Sequence, residues 1–326
     1  MTQATSVSIA EFGDASVMQL SSHALPAPGK GEARIRQTAI GFNFIDIYQR
    51  QGAYPLPLPT GLGHEAAGVV EAVGPGVDEF QPGDRVAYMN AGVGAYASAR
   101  NVPASKLVRL PDGVSDVTAA AVLFKGMTAQ YLLRKTHRVQ PGDVVLVHAA
   151  AGGVGQILCR WAKALGAFVV GTAGSPEKCE QARAAGCDLA IDYRQPDWVA
   201  TLLDRLDGRK ARVVYDSVGR DTFLHSLDCA APFGLVVLYG AASGPAPEIS
   251  PELLNKKGCL FLTRPSVFPH NADPAVFRAN AAELFEAIAA GAVRAEIGAR
   301  YPLADIVRAH EDAQARRSTG AIVLLP

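Results

Sequence analysis

The apolar run Val144-Val145-Leu146-Val147 leads into Ala149-Ala150-Ala151-Gly152-Gly153-Val154-Gly155, and a helix-like stretch follows from Gln156 to Leu165. A buried strand that feeds a glycine-rich turn and then a helix can cradle a dinucleotide pyrophosphate at the positive end of that helix. Ala150, Gly152 and Gly155 stand at the three fingerprint positions. Gly152 lets the backbone approach the pyrophosphate, Gly155 permits close helix–strand packing, and Gly153 and Val154 offer N–H groups at the helix start. The bland alternative is a merely tight turn. Context favours the cofactor. Strand signals at 144–149, 167–172, 188–191, 212–216, 234–239 and 259–262 alternate with helix signals at 154–165, 176–185, 197–206, 221–230 and 250–256. Short, nearly all-apolar strands separated by helices describe a doubly wound parallel sheet covered on both faces.

The remainder reads differently. Residues 1–124 are rich in strands and turns, with alternation from Ala33 to Ala39, an apolar run from Ala66 to Val73, and turns at Pro75-Gly76 and Pro82-Gly83-Asp84. This predicts a β-rich domain. Val117 to Leu133 predicts one or two helices interrupted near Gly126. The tail predicts a helix at 274–290, a short strand around Arg300, a helix at 303–316, and a last strand from Gly320 to Leu325 that can return to the first domain. The expected domains are thus 1–124, 125–265 and a returning segment 266–326, in an α/β chain.

Lys plus Arg equals Asp plus Glu, 31 each, and no basic aromatic stripe occurs, so no nucleic-acid partner is expected. The apolar runs are too short for membrane insertion, and no signal peptide is expected. No Cys precedes Cys159, and the five Cys form no close pair, so neither a disulfide framework nor a catalytic or structural metal site is predicted. The odd number fits a reducing compartment, and cytoplasm is the default.

Phe42 to Tyr48 sets Asn43, Asp46 and Tyr48 among apolar residues. These three are the candidate catalytic set around a flat substrate. Asp46 has the alternative of capping a helix or holding a backbone amide, and Tyr48 that of a core phenol. Tyr54, at the edge of a proline-rich loop, and the pair His64-Glu65 are candidate substrate contacts. Lys125 could reach a cofactor phosphate or ribose, and Thr128 could donate a hydrogen bond. The second strand ends in Thr172-Ala173-Gly174-Ser175-Pro176-Glu177-Lys178, without the early acid that holds an adenosine ribose. Ser175 suits an N-cap and Pro176 the first helical position. Lys178 in the first turn would be compensated by a 2′-phosphate, or is an ordinary solvent lysine. Tyr193, Ser217, Tyr239, Gly240, Thr263, Arg264 and Arg316 complete the candidate cofactor contacts. Most follow strand ends, where ligands bind in open sheets.

The segments Gly41 to Tyr48, Gly61-Leu62-Gly63-His64-Glu65, Ala149 to Gly155, Tyr215 to Arg220 and Arg264-Pro265-Ser266 together resemble the zinc-independent quinone oxidoreductases of the medium-chain dehydrogenase/reductase superfamily, the group that includes zeta-crystallin. The resemblance covers essentially the whole chain. It implies a GroES-like catalytic domain joined to a Rossmann domain, in a homodimer using NADPH. It further implies that Asn43, Asp46 and Tyr48 lie on the nicotinamide side, Lys125 and Thr128 at further cofactor contacts, and Gly174, Lys178 and Tyr193 on the adenosine side. Arg316 resembles a tail arginine near the 2′-phosphate. Ala150, in place of the first fingerprint glycine, matches this subgroup. The activity implied is reduction of a quinone or other electron-poor conjugated small molecule by NADPH, in one- or two-electron steps. The alternatives are enone or alkenal double-bond reduction, and a non-enzymic crystallin-like or RNA-binding role.

Overall fold

The computed structural model describes residues 2–315, 317 and 320–326. The chain divides into two units. One comprises Met1–Met127, Asn271–Ala289 and Arg294–Pro326; the other comprises Thr128–His270 and Ala290–Val293. The expected divisions after 124 and 265 thus compare with observed ones after Met127 and His270.

In the second unit six strands form one parallel sheet in the order Leu189–Asp192, Phe168–Ala173, Val144–Val147, Ala211–Asp216, Ala230–Leu238, Phe261–Thr263. By chain order this is third, second, first, fourth, fifth, sixth. The order reverses beside Val144–Val147, and ligands of such sheets bind outside the carboxyl ends at that reversal. Val145 is paired to both Val169 and Val213 and is wholly buried. One face of the sheet buries Leu146, Val170, Val214 and Val236 with Trp198, Leu202, Phe223 and Leu227 of two covering helices. On the other face Val145, Val147, Val169 and Val213 are wholly buried too, and coverage of both faces is why the strands carry almost no polar residues.

The first unit is built on antiparallel pairing around Glu32–Gly41, which pairs with Glu65–Val73, Ala99–Pro103 and Ala321–Leu325. The last strand therefore does return to this unit, with Val323 opposite Gly41 and Leu324 opposite Ile40. Its other edge pairs in parallel with Ile297–Pro302. A second, three-stranded sheet runs Gln19–Leu25, Thr2–Ile9, Thr60–Gly61. Its outer strand is almost entirely exposed, so it carries no alternating pattern to betray it. Ile35, Ile40, Leu62, Val86, Tyr88, Ile306 and Leu324 anchor the core of this unit.

One sequence expectation is corrected here. Gly126 does not interrupt a helix: Asp116–Tyr131 is continuous and only then gives way to a π-helical turn, Leu132–Thr136. A Cβ on Gly126 would stand 2.6 Å from the Leu284 side chain, so the glycine is a notch for the helix Pro274–Ala289. Among the described residues no helix is long and apolar enough to cross a membrane.

Candidate functional site

In the first unit the short helix Phe44–Arg50 begins at the residues singled out from sequence. Asn43 is its N-cap, and the Asp46 carboxylate accepts the Asn43 backbone N–H at 2.9 Å. A polar residue followed three positions later by an acid forms a capping box, which satisfies donors that the first helical turn leaves open. Asp46 thus holds a backbone amide from the third position of the helix. Asp46 Oδ2 also accepts the Tyr96 hydroxyl at 2.8 Å, while Oδ1 is buried with no partner among the described residues. Burial pushes the Asp46 carboxyl up to about 7, against the pull of Asn43, Tyr96 and the Lys125 charge.

The Asn43 side chain is held from both ends. Its Nδ2 donates to Glu65 Oε1 at 2.8 Å and its Oδ1 accepts from Lys125 Nζ at 3.0 Å. Lys125, expected at a cofactor phosphate or ribose, directs its ammonium here to three local acceptors. These are the Phe42 carbonyl at 2.8 Å, Asn43 Oδ1, and Glu65 Oε1 at 3.5 Å. An ammonium has three donors, so each acceptor can take one. Glu65 completes the cluster by accepting the Phe124 N–H at 2.6 Å. Burial raises the Glu65 carboxyl, and the Lys125 charge opposes it.

His64 is buried, and its Nε2 lies 2.9 Å from Gln49 Oε1; burial and the Arg100 charge lower it to about 4, so the ring is neutral. Tyr48 and Tyr54 form an edge-on pair, ring centroids 5.6 Å apart, and Phe44 lies 6.5 Å from Tyr48. Phe44, Tyr54 and Leu58 are exposed. The polar cluster thus has an aromatic face beside it.

In the second unit the fingerprint turn has the shape its residues require. Ala149 takes a positive φ of 50° and accepts the Gly152 N–H at 2.8 Å, and Gly152 is the N-cap of the helix Gly153–Ala164. A Cβ on Gly155 would lie 2.2 Å from the Ala149 carbonyl oxygen, so only glycine lets helix and turn meet. Gly152 is exposed, and Gly153 and Val154 are half-buried. The Gly153 and Val154 N–H groups belong to the helix start that no intrahelical carbonyl reaches. This is a pre-formed anion cradle.

The strand Phe168–Ala173 ends at Gly174, where a Cβ would stand 3.0 Å from the Tyr193 hydroxyl. Ser175 caps the helix Pro176–Ala184 by accepting the Lys178 N–H. Among the described residues no acid pairs with the Lys178 ammonium. Asp192, at the end of the next strand, is held by Arg194, Nη2 to Oδ2 2.8 Å. These residues fit an adenosine ribose bearing a 2′-phosphate: a cation is available, and the nearby acid is already neutralised.

Gly240 packs so closely on Ser217 that a Cβ would lie 2.6 Å from the Ser217 carbonyl oxygen. Arg264 is exposed and its Nη1 donates to the Leu238 carbonyl at 3.2 Å, bringing it over the end of the fifth strand. Tyr239 follows that strand and Thr263 closes the sixth. Thr128 is buried on the helix Asp116–Tyr131. Arg316 lies outside the described residues.

Tyr96 and Phe124, which no sequence pattern marks, contact Asp46 and Glu65 from 50 and 59 positions away, and Arg50 and His310, equally unmarked, meet each other across 260. Asp216 is another such residue. Its buried carboxylate accepts the Val218 and Gly219 N–H groups and the Thr222 and Ser226 hydroxyls, which shapes the loop carrying Ser217. Among the described residues no three His, Cys, Asp or Glu side chains converge as a metal-ligand group.

The GroES-like domain of alcohol dehydrogenases matches residues 29–112, and the zinc-binding dehydrogenase family matches residues 153–274. The quinone oxidoreductase of Pseudomonas aeruginosa is 48% identical over 321 residues, covering 98% of this chain and 99% of that protein. The crystal structure of Escherichia coli quinone oxidoreductase complexed with NADPH superposes with a TM-score of 0.96 at 44% identity, covering 99% of this chain and all of that one (100%). The 2-haloacrylate reductase of a Burkholderia species is 44% identical over 308 residues, 92% of each chain.

Proposed function

The chain belongs to the quinone oxidoreductase family of the medium-chain dehydrogenases and reductases, and from that premise we propose that it reduces quinones with NADPH. The observation that carries the cofactor choice is the end of the strand Phe168–Ala173. Ser175 caps the next helix where NAD enzymes place an acid, and Lys178 stands in the first turn with no acidic partner among the described residues. Gly152 to Gly155 would hold the pyrophosphate. Gly174, Ser175, Lys178 and Tyr193 would hold the adenosine ribose and its phosphate, and Ser217, Tyr239, Gly240, Thr263 and Arg264 would line the remaining length.

When bound, NADPH supplies the reducing equivalents from C4 of its dihydronicotinamide. The chain's own residues orient the acceptor and exclude water. Asn43, gripped by Glu65 and Lys125, presents an amide whose position is set before substrate arrives. The half-buried Tyr48 is assigned as the donor to the phenolate oxygen that develops on a quinone. Tyr54 supplies apolar surface for a flat ring. His64 and Glu65 support this face from within, both being buried.

Reduction of an activated carbon–carbon double bond is the second reading, favoured by the 44% identity to a 2-haloacrylate reductase. Purified protein assayed for NADPH and NADH oxidation with quinones, enones and alcohols, with and without a chelator, separates the readings. NADPH-dependent quinone turnover that survives the chelator is expected. Turnover of alcohols alone, abolished by zinc removal and restored by zinc, would overturn the proposal; preference for enones would select the second reading.

The homodimer is assigned to the strand Phe261–Thr263, the end of the parallel sheet, where Phe261 is 63% exposed and Leu262 38%. An unpaired apolar edge is a template for a second strand. All five cysteines are free, four of them buried, which accords with the cytoplasm.

A further inference from the structure

Arg50, the last residue of the helix Phe44–Arg50, is wholly buried. Its Nε donates to the Gly13 carbonyl at 3.2 Å and its Nη2 to Gln314 Oε1 at 2.8 Å, while Nη1 lies 3.1 Å from His310 Nδ1. A guanidinium has donors and no acceptor, so His310 Nδ1 accepts and the ring proton is assigned to Nε2. That nitrogen lies 3.3 Å from the Tyr96 hydroxyl, whose own proton goes to Asp46 Oδ2 at 2.8 Å. The chain Arg50 to His310 to Tyr96 to Asp46 therefore runs in one direction. It leaves the last residue of the helix and returns to its first turn. On the way it passes the segment 90–98 and the helix Ile306–Gln314.

We propose that His310 and Tyr96 are positioning residues for quinone reduction: through Asp46 they lock the start of the helix Phe44–Arg50, and with it the Asn43 amide and the Tyr48 ring. The inference rests on the reading that Asn43 and Tyr48 serve the acceptor. His310 is suited to a fixed role. Its ring stands edge-on to Phe42, centroids 4.8 Å apart, and to Tyr96, 5.8 Å apart. Burial and the Arg50 charge lower it to about 3, so it stays neutral and the direction of the chain does not reverse near neutral pH.

Asp46 is the member that titrates near neutrality. Tyr96, Lys125 and Glu65 face it, and Asp14 faces Arg50 at the far end. The Tyr96 hydroxyl donates to the carboxylate and favours its charged form. Removing that donor raises the pH at which Asp46 takes up a proton.

Tyr96→Phe deletes the hydroxyl and leaves the ring. With full-length enzyme, NADPH and a small quinone, kcat is expected to fall about tenfold with KM for NADPH within about twofold, as a displaced site group predicts. The acid limb of the kcat profile moves to higher pH. His310→Leu should lower kcat likewise, with a smaller move of the acid limb because the Tyr96 hydroxyl still donates to Asp46. His310→Gln, which can accept from Arg50 and donate to Tyr96, should restore kcat to within about twofold of wild type. Far-UV circular dichroism checks that each variant is folded; if His310→Leu is not, Tyr96→Phe and His310→Gln still decide. Folded Tyr96→Phe enzyme with wild-type kcat and an unmoved pH profile overturns the inference, as does His310→Gln as impaired as Tyr96→Phe. Asn43→Ala and Tyr48→Phe are the controls. If both turn over quinone normally, the site reading itself falls, and the inference with it. If they fail while Tyr96→Phe does not, only the inference falls.

Discussion

Lys125 and Glu65 form a buried ion pair, Nζ to Oε1 3.5 Å, and Asn43 bridges the two with one hydrogen bond to each. Breaking a buried pair from one side leaves an uncompensated charge, typically at a cost of about 3–5 kcal/mol. Lys125→Met strands the Glu65 carboxylate and should lose about that much in urea unfolding. Glu65→Gln leaves the Lys125 ammonium without its counter-charge and sets an amide –NH2 against either the Phe124 N–H or the Asn43 amide, so its loss should be comparable. A near-neutral effect of either substitution would show that the pair is not the unit that matters.

Lys178 is expected to choose between the two nicotinamide cofactors. Lys178→Ala removes a charge-assisted contact worth roughly 1.5–3 kcal/mol. KM for NADPH should rise at least about tenfold while KM for NADH changes little. Steady-state kinetics with both cofactors checks this, and an equal rise for both would move the 2′-phosphate away from Lys178.

The two fingerprint glycines should respond unequally. A Cβ at residue 155 meets the backbone of Ala149 at 2.2 Å and of Ala150 at 2.9 Å, whereas one at residue 152 meets the Ala149 carbonyl at 3.1 Å. Gly155→Ala should cost roughly 1–3 kcal/mol of stability and most NADPH binding. Gly152→Ala should keep the fold and weaken NADPH alone. Thermal unfolding paired with fluorescence titration of NADPH separates the effects.

Asp46, His64 and His310 give stability opposing slopes with pH. Asp46 is raised to about 7, so the folded protein keeps a proton that the unfolded chain has released. That contribution is full below about pH 4 and is lost as pH rises through 7. His64 and His310, lowered to about 4 and about 3, act the other way. Their contribution is full above about pH 6.5 and is lost as pH falls through those values. Asp46→Asn leaves the histidine slope unopposed. Its unfolding free energy relative to wild type should rise between pH 4 and 7, by up to about 1.4 kcal/mol per unit. Parallel urea-unfolding curves for the two proteins across that range would contradict this.

Phe261→Lys should produce a monomer. A charge on the exposed edge strand blunts pairing with a second copy, and light scattering after size-exclusion chromatography reads the mass directly. A Phe261→Lys dimer as tight as wild type would place the interface elsewhere.

The parallel sheet was legible because each of its strands is a local apolar run and each turn carries its own glycines or prolines. Periodicity and turn chemistry act within a few residues, and those distances are visible along a chain. The same holds for Asn43 and Asp46, whose three-residue spacing is that of a helix cap, and for Ser175 with Pro176. Gly126 misled because a glycine inside a helical stretch looks the same whether it breaks the helix or admits a neighbour. Leu284, 158 positions later, decided which. His310 reaches Arg50 across 260 positions and Tyr96 across 214, and no local pattern marks such a pairing. The amino-acid order therefore determined the parallel sheet, the nucleotide cradle and the Ser175 cap. Only the closed tertiary structure decided what Lys125, Glu65 and Asp46 face, because burial removes water as a partner and leaves each charge to whatever group the fold brings within reach.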